Sequence, residues 1–195
     1  MSIHMPFKIE NHQLRVGLSW DPNQVVTTVD RVKNMMGRNT LTFDLDISCY
    51  VYGPQNDFQD FVSGLDGEMV GKSGSIRHSG DNLDGIGDGD DEFITVDLNT
   101  APDYINNLIF VVEVASAHAF KDIISPSVQV REILSGNEIY KLPLVQTGQE
   151  DRSACIALKI GRNAVGSPWT LSPIEFFIDH ENVEDWADAL KKYLK

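Results

Sequence analysis

The residues best able to do chemistry in this chain are carboxylates gathered in one short stretch. Six of the twelve residues from 81 to 92 are acidic, none is basic, and glycines lie between them. Like charges this close repel one another, and a hard cation bound through oxygen is the simplest counterion. The glycines allow the backbone to curl and turn its carbonyl oxygens toward such an ion. The stretch therefore predicts a calcium-binding loop.

A second pair of carboxylates lies on a predicted strand. Asp44 and Asp46 stand two residues apart in the alternating run 43–51, so both side chains lie on the same face. At ~3.3 Å per residue their Cα atoms are roughly 6.6 Å apart, which suits carboxylates that share a cation or hold two neighbouring cations. Taken alone, the pair is more typical of a half-exposed sheet. Beside the 81–92 loop, it favours a metal site.

Other loop types and other metals fit less well. Counted from Asp84 as the first EF-hand position, the third is Ile86 and the twelfth is Thr95 rather than a glutamate, and no helical pattern flanks the loop. A P-loop is excluded because no Lys-Ser or Lys-Thr follows the glycines. Zinc prefers histidine or cysteine. Magnesium remains open, although so many oxygen ligands without a phosphate favour calcium.

Catalysis requires a nucleophile or an acid–base pair in addition to a metal. The five histidines are scattered, and no serine or cysteine stands in a recognisable nucleophile motif. Ser116 near His118 is more typical of chance neighbours than of a catalytic dyad. The sequence predicts that the protein is not an enzyme, and a calcium-assisted hydrolase is the less favoured alternative.

Charge and hydropathy narrow the class of protein. The chain has 195 residues, with 29 acidic against 16 basic side chains and a formal net charge of −13. This balance repels nucleic acid, and also anionic lipid unless a cation intervenes, so no nucleic-acid partner is predicted. No stretch reaches the roughly 18 apolar residues of a membrane span, and the first residues lack a signal-peptide core. Cys49 and Cys155 lie in apolar runs, which predicts reduced thiols and a cytoplasmic protein.

Alternating apolar residues, rather than helical periodicity, organise most of the chain. Many short runs separated by turn signals favour a mainly β fold, an antiparallel β-sandwich with a long calcium-binding loop and a C-terminal α-helix. One domain, residues 1–195, is predicted, with a polar connection over residues 23–40. The predicted strands cover residues 14–18, 43–51, 58–62, 93–98, 108–114, 128–134, 138–140 and 154–160.

Helical periodicity is confined to the end of the chain. From residue 182 to residue 194 the apolar side chains fall on one face, and Asn182 or Asp179 is predicted to cap the helix. Packing of Trp186 and Leu190 onto the sandwich is the favoured interpretation. Contact with another subunit is the alternative.

The acidic loop belongs to a longer motif, His-Ser-Gly-Asp-Asn at residues 78–82, followed by Gly85 and by Gly-Asp-Gly-Asp-Asp-Glu at residues 87–92. Together with residues 16–21, 43–46, 109–112 and 154–162, in this order and spacing, the motif resembles the TerD family of tellurium-resistance and stress proteins. The resemblance covers residues 8–162.

The chain also departs from the family pattern in three places. The segment between residues 21 and 43 is longer than usual, and Ile86 replaces a residue that is often polar. The segment 163–195 diverges from the glycine-rich ending of the family. These departures leave the calcium motif intact and put in doubt any partner surface carried by the C-terminus.

The resemblance implies a calcium-binding β-sandwich with two adjacent calcium sites, whose ligands come from the Asp-Leu-Asp strand and the acidic loop. Carried over residue by residue, the implied ligands are Asp44, Asp46, Asp81, Asn82, Asp88, Asp90, Asp91 and Glu92, with the carbonyl oxygens of Gly85 and Gly87.

A stress-response role follows from the same resemblance. The expected function is a non-catalytic binding or scaffold module whose acidic loop is ordered by about two calcium ions. The expected partners are proteins, either sister stress proteins or a membrane-associated complex. In the alternative, the ion bridges the loop to anionic lipid or to another phosphorylated ligand.

Overall fold

Two antiparallel β-sheets pack against each other in the computed structural model of this chain. The structure describes residues 6–21, 44–65, 67–83, 85, 89–115 and 118–195. The predicted polar connection over residues 23–40 lies outside the described residues. The strands are β1 (Phe7–Lys8), β2 (Gln13–Asp21), β3 (Leu45–Tyr52), β4 (Phe58–Val62), β5 (Ile76–His78), β6 (Glu92–Asp97), β7 (Asn107–Val114), β8 (Ile124–Glu132), β9 (Glu138–Pro143), β10 (Ala154–Gly161) and β11 (Thr170–Ile178).

The order of the strands determines which segments meet at each end of the sandwich. The six-stranded sheet has the order β1-β11-β10-β7-β3-β4, and the five-stranded sheet has the order β5-β6-β2-β8-β9. The Asp-Leu-Asp strand β3 and the strand β6 that follows the acidic loop therefore belong to different sheets. Their side chains meet only across the space between the sheets.

Alternation produces the core between the two sheets. On β2, Leu14, Val16 and Leu18 point inward, and on β3, Leu45 and Ile47 do the same; all five are fully buried. Because successive strand residues point to opposite faces, the residues between them lie on the outer faces. The predicted mainly β sandwich is confirmed.

Three strands have no counterpart in the sequence predictions: β1, β5 and β11. The last of these contains Pro173, which removes a backbone donor and is unusual inside a strand. Its pairing with β10 shifts register between Ile156 and Leu158, and Glu175 has a φ of 53°. A bulged strand of this kind lacks the clean alternation from which the other strands were predicted.

The C-terminal helix is shorter than predicted. The α-helix α1 spans Trp186–Ala189, and 3₁₀ turns lie on either side of it at His180–Asn182 and Leu190–Tyr193. The cap is Asp185, whose side chain accepts hydrogen bonds from the amides of Ala187 and Asp188, rather than Asn182 or Asp179. A third 3₁₀ turn covers Phe120–Asp122.

The face of this helix packs as predicted. Trp186, Leu190 and Leu194 cover Tyr50 and Tyr52 on the outer face of the six-stranded sheet. This second apolar cluster ties the end of the chain to β3, the strand whose first residues carry the aspartate pair.

Candidate metal centre

Three carboxylates from two distant parts of the sequence meet at one end of the sandwich. Asp44, Asp46 and Asp81 each place an oxygen within 4.8 Å of the others. Asp44 and Asp46 are half-buried, whereas Asp81 is exposed. These three residues are called the aspartate cluster below.

The backbone fixes the two strand aspartates side by side. Asp46 is the second residue of β3, and the carbonyl oxygen of Asp44 accepts a hydrogen bond of 2.9 Å from the amide of Ala115. This bond extends the pairing of β3 with β7 by one step, so the pleat brings both side chains to the same face. The sequence predicted this arrangement from alternation alone.

Asp81 reaches the cluster because Gly64 leaves room for it. A Cβ atom placed on Gly64 would lie 3.3 Å from the Cβ of Asp81. Contacts of that length are tighter than most, so the absence of a side chain at residue 64 allows the loop after β5 to lie against the end of β4. The loop then carries Asp81 toward the two strand aspartates.

The cluster is electrostatically unfavourable without a counterion. Burial, with the charges of Asp81 and Glu92 in addition, raises the pKa of Asp44 from 3.8 to about 6. Burial and then the charge of Glu92 raise the pKa of Asp46 to about 7, with smaller contributions from Asp44, Asp81 and Glu113. Desolvation and like charges both disfavour ionised carboxylates. The attraction of a bound cation would offset both effects.

One oxygen of the cluster is buried without a hydrogen-bond partner. Among the described residues, Asp44 Oδ1 has no donor within reach. A buried carboxylate oxygen without a partner costs free energy, and native structures leave few of them. Together with an all-oxygen donor set, this oxygen fits a hard cation such as calcium.

Glu92 lies beneath the cluster and joins the two sheets. Its side chain is fully buried. Oε2 accepts a hydrogen bond of 3.1 Å from the amide of Ile47 on β3, and Oε1 accepts one of 3.0 Å from the amide of Asn82 in the acidic loop. The carboxylate therefore holds the loop and the Asp-Leu-Asp strand together. Its predicted role as a metal ligand stays a prediction.

His78 supports Glu92 from the end of β5. The amide of Gly80 donates to Nδ1 at 3.0 Å, so Nε2 carries the hydrogen and donates to the carbonyl oxygen of Ile47 at 3.1 Å. Nε2 also lies 3.5 Å from Glu92 Oε2, and both side chains are fully buried. The histidine thus ties β5 to β3 directly beneath the cluster.

Asp91 anchors the far end of the loop to β2. Its Oδ2 accepts a hydrogen bond of 2.9 Å from the amide of Trp20, and its own amide donates to Leu18 at 2.9 Å. The side chain of Asn82 donates to the carbonyl oxygen of Asp91 at 3.4 Å and accepts from the amide of Gly85 at 3.2 Å. These bonds close the loop on itself.

Gly85 is required where the loop crosses Trp20. Its φ is +61°, and a Cβ atom there would lie 2.4 Å from Trp20 Nε1. Glycine alone combines this left-handed conformation with so close an approach. The sequence prediction gave Gly85 a role as a carbonyl ligand; the structure adds a steric reason for a glycine at this position.

Asp90 lies apart from the aspartate cluster, on the outer face of the five-stranded sheet. Its carboxylate covers Gly17, accepts a hydrogen bond from Gln129, and lies 3.8 Å from Nη1 of Arg15. Gly17 and Gln129 are cross-strand neighbours on β2 and β8. Of the other predicted ligands, Gly87 and Asp88 lie outside the described residues.

Comparison with known proteins places this arrangement in a family. The model of the TerD domain matches residues 7–175. The chain belongs to the TerD family. It is 32% identical over 136 residues to tellurium resistance protein TerZ of Serratia marcescens, covering 70% of this chain and 67% of that protein. It is 28% identical over 179 residues to stress response protein SCP2 of Bacillus subtilis, covering 89% and 86%.

A solved structure shares the fold of this TerD-family chain. A homologue of telluride resistance protein (TerD) from Streptomyces coelicolor A3(2) matches with a TM-score of 0.66 and 22% sequence identity, covering 87% of this chain and 91% of that chain. In the described part of the present chain, no helix has the length and apolar character that crossing a bilayer requires.

Sequence reasoning missed one acidic residue beside the aspartate cluster. Glu113 on β7 lies directly across from Asp46 in the β3–β7 register. Its Oε1 accepts a hydrogen bond of 3.0 Å from Trp186 Nε1 of α1, and burial raises the pKa of Glu113. The available signal was a single acid that interrupts the apolar run 108–114. Glu113 therefore links the position opposite Asp46 to the C-terminal helix.

Proposed function

We propose that this TerD-family protein binds calcium at the aspartate cluster and acts as a non-catalytic stress-response module. The observation that carries the proposal is Asp44 Oδ1, a buried oxygen without a partner among the described residues, beside two further carboxylates within 4.8 Å. The raised pKa values of Asp44 and Asp46 support it, because an uncompensated site of this kind gains most from a cation.

Calcium is the cation that the donor set favours. Asp44, Asp46 and Asp81 supply carboxylate oxygens, and the ligands predicted in the acidic loop are oxygens as well. Calcium accepts six to eight such oxygens in flexible geometry, whereas magnesium requires near-ideal octahedral coordination and retains several waters. About two ions are proposed, since the predicted ligands outnumber those that one ion needs.

The ion would order the acidic loop and change the surface it presents. Glu92 and Asp91 already attach the loop to β3 and β2 by hydrogen bonds. A cation on the aspartate cluster removes the remaining repulsion, and two divalent ions would shift the formal charge from −13 to about −9. The rearranged surface would then bind protein partners, either sister stress proteins or a membrane-associated complex, in the cytoplasm.

One observation favours calcium-dependent lipid binding as a second candidate. Leu65 and Leu83 are 66% and 56% exposed. Leu65 follows Gly64, which contacts Asp81, and Leu83 lies two residues beyond Asp81, so both apolar side chains flank the cluster. An ion that bridges the carboxylates to an anionic headgroup would allow these leucines to enter the bilayer interface.

Thermal unfolding of metal-stripped protein tests the first proposal. At a free calcium concentration of about 100 times Kd, the expected stabilisation is about 2.7 kcal/mol, or a rise in Tm of about 5–10 °C over the value in chelator. Magnesium at the same concentration should give a smaller rise. An unchanged Tm in calcium would refute the proposed site.

Vesicle co-sedimentation distinguishes the second candidate. Two results together would support lipid binding. The wild-type protein should bind phosphatidylserine vesicles only in calcium, and the double variant Leu65→Ser with Leu83→Ser should not bind them. Calcium-induced stabilisation without vesicle binding would leave the protein-partner function in place.

A further inference from the structure

A second polar site lies on the same sheet, far from the aspartate cluster. A cavity of about 380 Å³ is lined by Asn107, Lys159 and Gly161, among others. Asn107 is paired in register with Tyr52 and with Gly161. Tyr52 lies six residues beyond Asp46 along β3, so the two sites are about 20 Å apart. Lys159 lies between the core residues Leu158 and Ile160, which places the cavity on the outer face.

The charge of this cavity is opposite to that of the chain as a whole. Its described lining contains three basic side chains, those of Lys159, Arg162 and Lys195, and no acidic side chain; the one opposing charge there is the main-chain carboxylate of Lys195, the last residue of the chain. The protein carries a formal charge of −13. A concentration of positive charge in so acidic a chain favours an anionic ligand. The name basic cavity is used below for the space lined by Lys159, Arg162, Lys195, Asn107, Thr170 and Ser172.

Arg162 contributes a buried charge with little compensation. Its side chain is 7% exposed, and Nη2 lies 4.0 Å from a carboxylate oxygen of Asp103, which is itself 81% exposed. The guanidinium donates to the carbonyl oxygens of Ile105 and Pro102 and stacks on Trp169, with 4.7 Å between Cζ and the ring centroid. Carbonyl oxygens fix the group in place, but they carry no full negative charge. Buried charges are normally paired, so an anion nearby would be stabilised.

Lys159 is held at the cavity in the same way. Its ammonium donates to the carbonyl oxygen of Tyr193 at 2.9 Å and, more weakly, to a main-chain carboxylate oxygen of Lys195 at 3.4 Å. An ammonium has three N–H donors, so one remains for a ligand. Burial lowers the pKa of Lys159.

Amide and hydroxyl groups complete the cavity wall. A Cβ atom on Gly161 would lie 2.5 Å from Asn107 Oδ1, so the asparagine side chain occupies the space left by the missing side chain. Asn106, 5% exposed, has a buried Oδ1 that lacks a hydrogen-bond partner among the described residues. Thr170 and Ser172 add hydroxyls. Such groups hydrogen-bond to ligand hydroxyls in either direction.

From these contacts we infer that the basic cavity binds a small sugar phosphate. The phosphate would lie against Lys159 and Lys195, near the buried charge of Arg162. The sugar hydroxyls would bond to Asn107, Thr170 and Ser172. Cavities of about 300–1,000 Å³ with a few convergent polar groups are typical of small-molecule sites. This inference does not depend on calcium binding, because the aspartate cluster contributes nothing to the cavity.

The inference is tested by calorimetric titration at constant ionic strength and constant calcium. The three probes are ribose 5-phosphate, inorganic phosphate and ribose. Ribose 5-phosphate should bind more tightly than either of the other two probes. Lys159→Met, which keeps the aliphatic stem, should weaken this binding at least about tenfold, the expected effect of losing a charged hydrogen bond. The charge-matched control is Lys141→Met, an exposed residue of β9 in the other sheet, which should change the affinity little.

A second variant keeps the test valid if Lys159→Met does not fold. Lys195 is exposed near the end of the chain, and Lys195→Met should weaken ribose 5-phosphate binding about two- to threefold, as for a solvent-exposed charge. Absence of ribose 5-phosphate binding to the wild-type protein would overturn the inference. So would equal losses in the cavity variants and in Lys141→Met.

Discussion

Glu92 accepts a hydrogen bond from the backbone amide of Ile47, with 3.1 Å between Oε2 and the nitrogen. The two residues are 45 positions apart and belong to different sheets. This single bond brings the end of the acidic loop against the Asp-Leu-Asp strand. Protein contacts thus hold the end of the acidic loop beside Asp44 and Asp46, and the proposed ion would act on the rest of the loop.

Asp46→Asn is expected to raise the stability of the metal-free protein and to lower its calcium affinity. Because burial and neighbouring charges raise the pKa of Asp46 to about 7, removing its charge should stabilise the metal-free protein by about 1 kcal/mol, discounted for partial exposure. The same change should weaken calcium binding at least about tenfold, since a charged ligand is lost. Urea unfolding in chelator and in calcium measures both effects. Asp188→Asn, an exposed residue of α1, is the charge-matched control and should produce neither.

The stability of the metal-free protein should fall as pH rises. The pKa of Asp44 is raised to about 6 and that of Asp46 to about 7, both from 3.8, so the folded protein holds these protons more tightly than the unfolded chain. The free energy of unfolding should therefore decrease between about pH 4 and pH 7 and level off above that. Calcium competes with the same protons, so the stabilisation by calcium should grow over this window.

The difference between the wild-type protein and the double variant Asp44→Asn with Asp46→Asn isolates this effect from other titrating groups. Urea unfolding at intervals from about pH 4 to pH 8 would show it. A difference that does not change with pH would contradict the assignment of the two raised pKa values.

Glu92→Gln should destabilise the protein whether or not calcium is present. Both oxygens of the buried carboxylate accept backbone hydrogen bonds, from Ile47 and from Asn82. The amide NH₂ of glutamine would face one of those donors, at a cost of about 1–3 kcal/mol. The urea midpoint should drop relative to Glu138→Gln, which alters a surface ion pair with Arg131 at 3.8 Å. Equal midpoints for the two variants would refute the anchoring role.

Asp90→Asn distinguishes the outer-face position of Asp90 from its predicted role as a ligand. Its carboxylate accepts a hydrogen bond from Gln129 and lies 3.8 Å from Nη1 of Arg15. The variant should lose roughly 0.5–1 kcal/mol of stability through the weakened ion pair. Its calcium affinity should fall less than that of Asp46→Asn. If the two variants lose calcium affinity equally, Asp90 turns toward the ion when calcium binds.

Much of the fold was predictable because alternation is local. The runs around Leu14 and Ile47 alternate in apolar residues and the run around Val112 is apolar almost throughout, and each forms a strand close to its predicted bounds. The strand β11 escaped prediction because Pro173 and the positive φ of Glu175 interrupt that pattern. Its place in the sheet depends on pairing with β10, a long-range contact that local residue types do not encode.

The site was predictable in composition and less so in arrangement. Charge density alone pointed to the loop, and alternation alone placed Asp44 and Asp46 together. The separate positions of Glu92, under the cluster, and Asp90, on the outer face, depend on how the chain turns into β6. Glu113 entered the site only through the β3–β7 register, which brings it opposite Asp46.

Isothermal titration of calcium into metal-stripped protein tests the central claim most directly. The wild-type protein should bind about two ions, and the double variant Asp44→Asn with Asp46→Asn should lose that binding while remaining folded by circular dichroism. Absence of calcium binding by the wild-type protein, or unchanged stoichiometry and affinity in the double variant, would contradict the account.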